Sequence, residues 1–466
     1  MNTPISTSAV VAKPTTLVRS LGIWHVIIIG LSYIQPTTLF DTFGMVSEAS
    51  HQHTPMSYVL ALIAILLTSL SYGQMIRAYP SSGSAYTYAQ KAIHPAVGFM
   101  VGWSSWLDYL LMPMVNIVLA VIYFSALFPD VNTWFWVVAF TAIMTIVNLL
   151  GAKIVAYFNS WIVAGQLLII AFFTYLVYTK LSQGLNADGV IDAANAYQLW
   201  SLAPFFNATT EIAPLIAGAT ILCFSFTGFD SLSTLAEETK DAKNKLPKAI
   251  FLTSLITGII FIVSTYFIQL YFSGNPSGYF TQIDETQPEI LLLVGGSLFQ
   301  SIVLTFGIVT VVASGISAHA GVSRLMYVMG RDGVISRRIF GYIHPKLRTP
   351  VFNILIAGLV ALTGGFVDLD FVVHLISFGA LTAFSFVNLS VIFEYVIRHR
   401  RLQTAKQVFL NLIVPTLGFI TIFMMWLNVE STSLYAGLSW GLAGLIYLMW
   451  LTKGFSKPVP THQESP

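Results

Sequence analysis

The sequence predicts an all-α integral membrane protein: twelve transmembrane helices in two inverted five-helix repeats, broken in helices 1 and 6, followed by a terminal two-helix hairpin. Three observations carry that reading. The 466 residues are 56% hydrophobic and 9% charged, well below the ~25% charge of a soluble domain. Apolar runs of about twenty residues or more recur along the chain, the length a helix needs to cross ~30 Å of hydrocarbon. A twelve-span threading also puts twenty-one of the twenty-two Lys and Arg residues on one side.

The spans fall at about 22–47, 55–78, 95–127, 134–151, 155–180, 212–237, 248–272, 291–320, 350–366, 370–396, 408–428 and 433–452. Ten-residue alternating strand patterns are absent, so helices are favoured over a barrel. Residues 1–20 are polar, rich in Ser and Thr, and read as a disordered cytoplasmic tail rather than a signal peptide. The first repeat occupies 21–180, an extracellular loop 181–211, the second repeat 212–396, helices 11 and 12 397–452, and a cytoplasmic tail 453–466. Lys180 alone falls on the face that carries Asp130, Asp188, Asp192, Asp284, Glu285, Asp368 and Glu430. The positive-inside rule then puts both termini in the cytoplasm of a plasma-membrane protein.

The same composition narrows the function. A net charge of +2 does not suggest nucleic acid, and the single cysteine, Cys223, lies in an apolar run with no partner for a disulfide. His-Glu-x-x-His, Gly-x-Ser-x-Gly and phosphate-loop patterns are missing, so neither an enzyme nor a metal or cofactor site is expected. Nothing in the sequence specifies an oligomeric state.

Two spans carry breakers near mid-depth. In the first, Ile34-Gln35-Pro36-Thr37-Thr38 interrupts an apolar run, and Pro36 lacks the amide hydrogen that would continue the helix. In the sixth, Phe224-Ser225-Phe226-Thr227-Gly228-Phe229-Asp230 brings a flexible glycine and an acid to similar depth. Unwound backbone inside a bilayer is tolerated only where protein or a water-filled cavity supplies hydrogen bonds. Paired breaks five spans apart therefore read as the centre of two inverted repeats, with a ligand bound between them. Two ordinary Pro and Gly kinks are the alternative. The asymmetry of the broken spans suits alternating access better than a continuous pore.

Three carboxylates, Asp41, Asp108 and Asp230, lie within the spans. Each costs ~2.5–3.5 kcal/mol near the bilayer centre, and no Lys or Arg stands at that depth to pair with them. The partner they imply is a cation from outside, which makes the chain a carrier for a small organic cation.

Several stretches resemble the amino acid, polyamine and organocation (APC) superfamily. They are Tyr79-Pro80-Ser81-Ser82-Gly83-Ser84-Ala85-Tyr86-Thr87-Tyr88, Glu237-Glu238-Thr239-Lys240-Asp241 through Leu246-Pro247-Lys248, and Ser323-Arg324 through Gly330-Arg331-Asp332-Gly333. Within that superfamily the bacterial proton-coupled putrescine importers are resembled at Phe40-Asp41-Thr42-Phe43-Gly44, Val101 to Tyr109, Phe224 to Asp230, Asn388-Leu389-Ser390 and Glu430 to Leu434. The resemblance spans about residues 20–452 and implies the twelve-helix fold and proton-driven uptake. Putrescine or a related diamine, protons and membrane lipid are the partners implied. Amino acid carriers of the superfamily often hold a substrate carboxylate on a Gly-Ser-Gly turn in the first span. Here Gln35-Pro36-Thr37-Thr38 stands in its place, and Gln166 occupies the fifth-span position where many members carry Lys. An amino acid carrier or a polyamine exchanger of the same superfamily is the alternative function.

A diamine needs acceptors separated by an apolar, preferably aromatic, slot. By the resemblance, Asp230 stands where polyamine and basic amino acid carriers hold an acid, so it is either the anchor for one ammonium or a cap on the second half-helix. In the third span Trp106, Tyr109, Pro113 and Asn116 form one helical stripe that is expected to face the cavity. Tyr109 can offer its ring face and its hydroxyl to an ammonium, and the resembling importers imply a recognition role for it. The alternative is a tyrosine packed between helices. Asp108, one step off that stripe, is a second ammonium ligand or a buried acid bonded to a neighbouring helix. Tyr33, Gln35 and Thr37 surround the first break, where freed carbonyls carry partial negative charge.

Asp41 is a helix cap or a vestibule acid. Phe224 is a substrate-site candidate, and Phe226 is either a gate or a core aromatic. Glu237, with Glu238 beside it, is a gate or a route for proton release, and Asp230 is the other coupling candidate. His319 and His374 are the histidines at a depth to relay a proton, packing being the alternative. Gly98 and Gly102 form a small-residue pair for close helix approach.

Overall fold

The structure is a computed structural model and describes residues 21–150, 155–190, 199–208 and 210–460, with the side chains of 155–159, 190 and 237 excluded. The expected N-terminal tail, the last six residues of the C-terminal tail and part of the 181–211 loop lie outside the described residues.

In chain order the helices are α1 Ile23–Ile34, α2 Thr38–Ala49, α3 Thr54–Ala78, α4 Ser84–Ala92, α5 Pro95–Leu127, α6 Thr133–Leu150, α7 Val155–Ser182 and α8 Ile212–Phe226. They continue with α9 Ala242–Tyr271, α10 Thr286–Asp332, α11 Arg337–Phe340, α12 Val351–Ala361, α13 Leu369–Val391, α14 Ala405–Val408, α15 Val414–Trp426 and α16 Ser431–Leu451. A two-residue hairpin, β1 Leu185–Asn186 with β2 Gly189–Val190, is the only sheet among the described residues. Among the described residues ten helices are long and apolar enough to cross a membrane, and α1 with α2, bent by 52°, makes an eleventh when the pair is counted as one span. The ninth expected span is the shorter apolar helix Val351–Phe366, whose last turn is 3₁₀ and therefore longer per residue than α.

Some bounds differ from those expected, for local reasons. The eighth span, expected at 291–320, is the 47-residue α10, interrupted only at Gly296, whose φ is +76°. Its C-terminal end runs on past the apolar stretch as far as Arg331 and Asp332. Between the second and third spans the Pro80–Gly83 turn starts a further helix, α4, which lies against α5. The small pair on α5 makes that contact: Gly98 faces Gln90, and a Cβ at Gly102 would sit 2.7 Å from the Tyr86 ring.

The two breaks form where the sequence places them. α1 ends at Ile34, and Gln35 takes a left-handed conformation at φ +53°. Its carbonyl accepts from the Thr38 amide at 2.9 Å and the Thr38 hydroxyl at 2.6 Å, which replaces bonding lost at Pro36. The sixth span runs from Ile212 to Ala236, but its α-helix stops at Phe226 and resumes as a 3₁₀ helix over Ser231–Glu237. Gly228, at φ +113°, makes the turn between them. The space a Cβ would need at Gly228 is filled by the Tyr33 ring, so the two breaks touch each other there.

Around this centre α5 runs between α10 and α13, and α3 packs along α9. The motifs that are far apart in sequence meet on the face bearing most of the basic residues. Tyr86 Oη donates to Asp332 Oδ2 at 2.8 Å, and Arg324 pairs with Glu238 at 3.6 Å. Just before α1, Leu21 exchanges backbone hydrogen bonds with Glu238 and Lys240.

Gly228→Ala is expected to destabilise the protein by about 1–3 kcal/mol through backbone strain alone, with the Tyr33 contact adding to it. Gly441→Ala, on α16 with nothing within 4 Å of its Cβ, is expected to be neutral or stabilising by up to ~1 kcal/mol. Melting temperatures of the two purified variants check the opposite signs.

Candidate functional site

One helix, α5, reaches polar groups at both breaks. Tyr109, Asn116 and Tyr123 follow one another at seven-residue intervals on α5, just under two turns apart, so they share a face with a drift of ~20° per step. Tyr109 Oη donates to Asp230 Oδ2 at 2.9 Å. Asn116 Oδ1 accepts from Gln35 Nε2 at 2.7 Å, while Asn116 Nδ2 donates to the Met112 carbonyl of its own helix at 2.9 Å. Tyr123 Oη lies 2.8 and 3.0 Å from the two carboxylate oxygens of Asp41 and 3.2 Å from Gln287 Oε1. The second break, the first break and α2 are therefore each held by one residue of the same stripe.

Asp230 stands immediately before the 3₁₀ helix, and its Oδ1 accepts from the Gly228 amide at 3.1 Å. Among the described residues no Lys, Arg or His forms an ion pair with it or with Asp41 or Asp108, although all three are buried. Asp108 lies against α13, where a Cβ at Gly379 would come 2.7 Å from its own Cβ. A carboxylate met only by neutral donors has no fixed counter-charge, and whenever it is ionised in low dielectric a cation is attracted to it far more strongly than in water.

Two small cavities open beside this line. One, about 20 Å³, is bounded by Tyr33, Gln35, Asn116, Phe224, Thr227 and Ser314, among others. The other, about 10 Å³, reaches Tyr109 and Asp230 from the side of Ser84 and Ser105. Each has room for little more than a water molecule.

The remaining expected residues divide. Tyr33 and Phe224 border the larger cavity, and the Tyr33 carbonyl accepts from Ser314 Oγ at 3.2 Å. Thr37 is buried at the start of α2 and contributes its carbonyl to the Phe40 amide at 3.0 Å. Trp106 is not on the cavity: its ring packs against Trp103, Phe340 and Trp440. Phe226 is also away from the cavity, edge-on to Phe261 and Tyr58. The Glu237 side chain lies outside the described residues. His319 Nε2 bonds the Ile354 carbonyl at 2.7 Å, and His374 Nε2 lies 3.4 Å from Asp370.

Sequence reasoning missed Tyr123, Gln287 and Ser314. The signal for Tyr123 was present, since it continues the stripe one heptad beyond Asn116. Gln287 and Ser314 lie on α10 in polar positions without such a pattern.

On the face bearing Asp284 and Asp368, an open cavity of about 400 Å³ is lined by Glu48, Asp284, Asp368 and Asp370 with apolar neighbours. A concave patch of one sign concentrates cations from solution. At its edge, burial and then the charges of Asp284 and Asp368 push the Glu285 carboxyl above its ordinary value. Asp370, His374 and Glu430 bring one donor atom each within 4.8 Å of one another, a spacing compatible with a metal ion.

The family described as amino acid permease matches residues 25–451. Over 446 residues the chain is 52% identical to the low-affinity putrescine importer PlaP of Escherichia coli strain K12, covering 96% of both proteins. It is 25% identical to the branched-chain amino acid permease BcaP of Bacillus subtilis strain 168, covering 95% of each. In fold it is similar to a substrate-bound outward-open Na⁺-coupled sialic acid symporter, with a TM-score of 0.56 at 13% identity over 89% of this chain and 90% of that one.

Two outcomes follow from the geometry. Tyr123→Phe removes the only hydrogen-bond donor to Asp41 among the described residues and should cost about 1–3 kcal/mol, lowering the melting temperature. Adding Asp41→Asn should recover part of that loss, because an orphaned buried charge costs more than a removed pair. At the acidic patch, the raised pKa of Glu285 means that the folded state holds its proton more tightly than the unfolded one. Its contribution to stability therefore falls as pH rises from the ordinary value of 4.5 through the raised folded value. Glu285→Gln should match the parent in acid and melt higher than it near neutral pH, in parallel melts across that range.

Proposed function

The chain belongs to the amino acid permease family, and from that premise we propose that it is a secondary active transporter that imports putrescine, driven by protons through alternating access. It resides in the plasma (inner) membrane with both termini in the cytoplasm, the orientation that the segregation of Lys and Arg favours. Five spans from 21 to 180 and five from 212 to 396 form the two repeats, and the substrate binds where their broken helices meet.

The observation that carries this reading is Asp230: a buried carboxylate at the junction of the two breaks, held by the Tyr109 hydroxyl and the Gly228 amide and paired with no cation among the described residues. One ammonium of the diamine binds there. Tyr109 presents its ring and hydroxyl to it, while Tyr33, Gln35, Asn116 and Phe224 border the methylene chain along the larger cavity. Asp108 serves the same negative centre, because a doubly charged guest is best matched by more than one acid. The 52% identity to a putrescine importer supports the diamine over the amino acid alternative. The lack of a glycine-rich turn at Gln35-Pro36-Thr37-Thr38 supports it too.

Coupling needs a second acid. A proton on Asp230 itself would compete with the ammonium, so the co-transported proton is held elsewhere, with Glu237 as its candidate, and both loads shift the balance between the outward-open and inward-open states. The Glu238–Arg324 pair on the basic face, and the Thr286 hydroxyl on the Phe40 carbonyl at 2.7 Å near the other face, close the two sides of the centre.

Uptake of labelled putrescine into proteoliposomes is expected to rise with an imposed inward proton gradient. In Asp230→Asn, inserted and folded as the parent, uptake should fall roughly ten- to hundredfold, the loss of one charge-assisted contact. Retention of parental uptake by that variant, or stronger competition by neutral amino acids than by diamines, would sink the assignment.

A further inference from the structure

We propose that the groove between α3 and α9 is a binding site for an anionic phospholipid of the leaflet facing the basic ends of the spans. Gly73 on α3 lets Pro247 of α9 approach closely, with a Cβ there meeting Pro247 at 3.0 Å. Beside that contact the helices part into a cavity of about 430 Å³.

Its two ends differ in chemistry. Leu70, Phe251, Leu252 and Leu410 give it an apolar wall, while Arg77 and Lys248 stand exposed at its mouth. Leu70 lies seven residues before Arg77, ~10 Å along the helix, so the slot grades from apolar to cationic along the span axis. That is the polarity of a phospholipid: an acyl chain toward the hydrocarbon and a phosphate at the interface.

Neither cation is occupied by the protein. Arg77 donates one hydrogen bond, to Gln74 Oε1 at 3.2 Å, leaving most of its five N–H groups. Lys248 makes no hydrogen bond, and neither residue forms an ion pair among the described residues. Lys240, Lys243 and Lys245 precede Lys248 in the same segment and add to the positive field. Basic clefts between spans on the cytoplasmic side select anionic headgroups by this pairing. A free phosphate would satisfy the cations but leave the apolar wall in contact with nothing; a lipid satisfies both.

The test uses the full chain purified in detergent. Its melting temperature is followed with added phosphatidylglycerol, phosphatidylcholine or inorganic phosphate, and phospholipid retained after gel filtration is counted by native mass spectrometry. Phosphatidylglycerol should raise the melting temperature and stay bound, whereas the other two should do neither. Arg77→Gln with Lys248→Gln should abolish both effects while melting like the parent without lipid. Leu70→Trp, which fills the apolar end and leaves the cations in place, should abolish retention as well. Equal responses to phosphatidylcholine, a response to inorganic phosphate alone, or unchanged phosphatidylglycerol retention in both variants would overturn the proposal.

Discussion

The buried carboxylates constrain everything else in this molecule. Asp41 and Asp230 sit in an apolar body and are met by neutral donors, not by cations. A phenolic hydroxyl supplies one hydrogen bond and no charge, so it lowers the cost of burial without cancelling the field. An internal arginine would do both and would leave nothing for a guest to bind. The fold therefore has to deliver hydroxyls to two places far apart along the span axis. It does so with a single long helix, whose 33 residues exceed what a membrane crossing requires.

Much of this was legible in the sequence, and what was hidden has physical causes. Apolar run length and charge segregation follow from the bilayer itself, which is why the spans could be laid out before any contact was known. Pro36 and Gly228 announce the breaks because each disables helical geometry locally. Depth along a span was also readable, and it grouped Asp230, Tyr109, Gln35 and Asn116. Direction around a helix was less so. Trp106 belongs to the stripe by arithmetic, yet the aromatic cluster formed with α11 and α16 draws its ring aside. A periodicity argument sees only its own helix and has no term for a distant partner. The same blindness hid Gln287 and Ser314, whose roles come from neighbours far along the chain.

The two breaks are coupled by shape as well as by polarity. The Tyr33 ring occupies the side-chain space of Gly228, so the unwound backbone of one repeat is the packing surface for the other. Packed surfaces of this kind have discrete arrangements, not a continuum, because close packing leaves no room for gradual sliding. With cavities of about 20 and 10 Å³ at this junction, this arrangement has room for little more than a water molecule. The contacts toward the two faces differ in kind: a partly exposed ion pair on one and a buried hydroxyl on a carbonyl on the other. An exposed pair responds to salt and solvent, and a buried hydrogen bond to backbone displacement.

The heptad spacing on α5 makes that helix a lever. Tyr109 and Tyr123 are fourteen residues apart, which is ~21 Å along the axis. If the rod pivots at its Asp230 end by about 10°, its far end swings by roughly 4 Å over that length. A hydrogen bond tolerates a few tenths of an ångström, so the clasp on Asp41 opens long before the fulcrum feels any strain. In such a pivot a small adjustment at the Tyr109 end would be magnified at the Tyr123 end through one helix, with no separate relay between them.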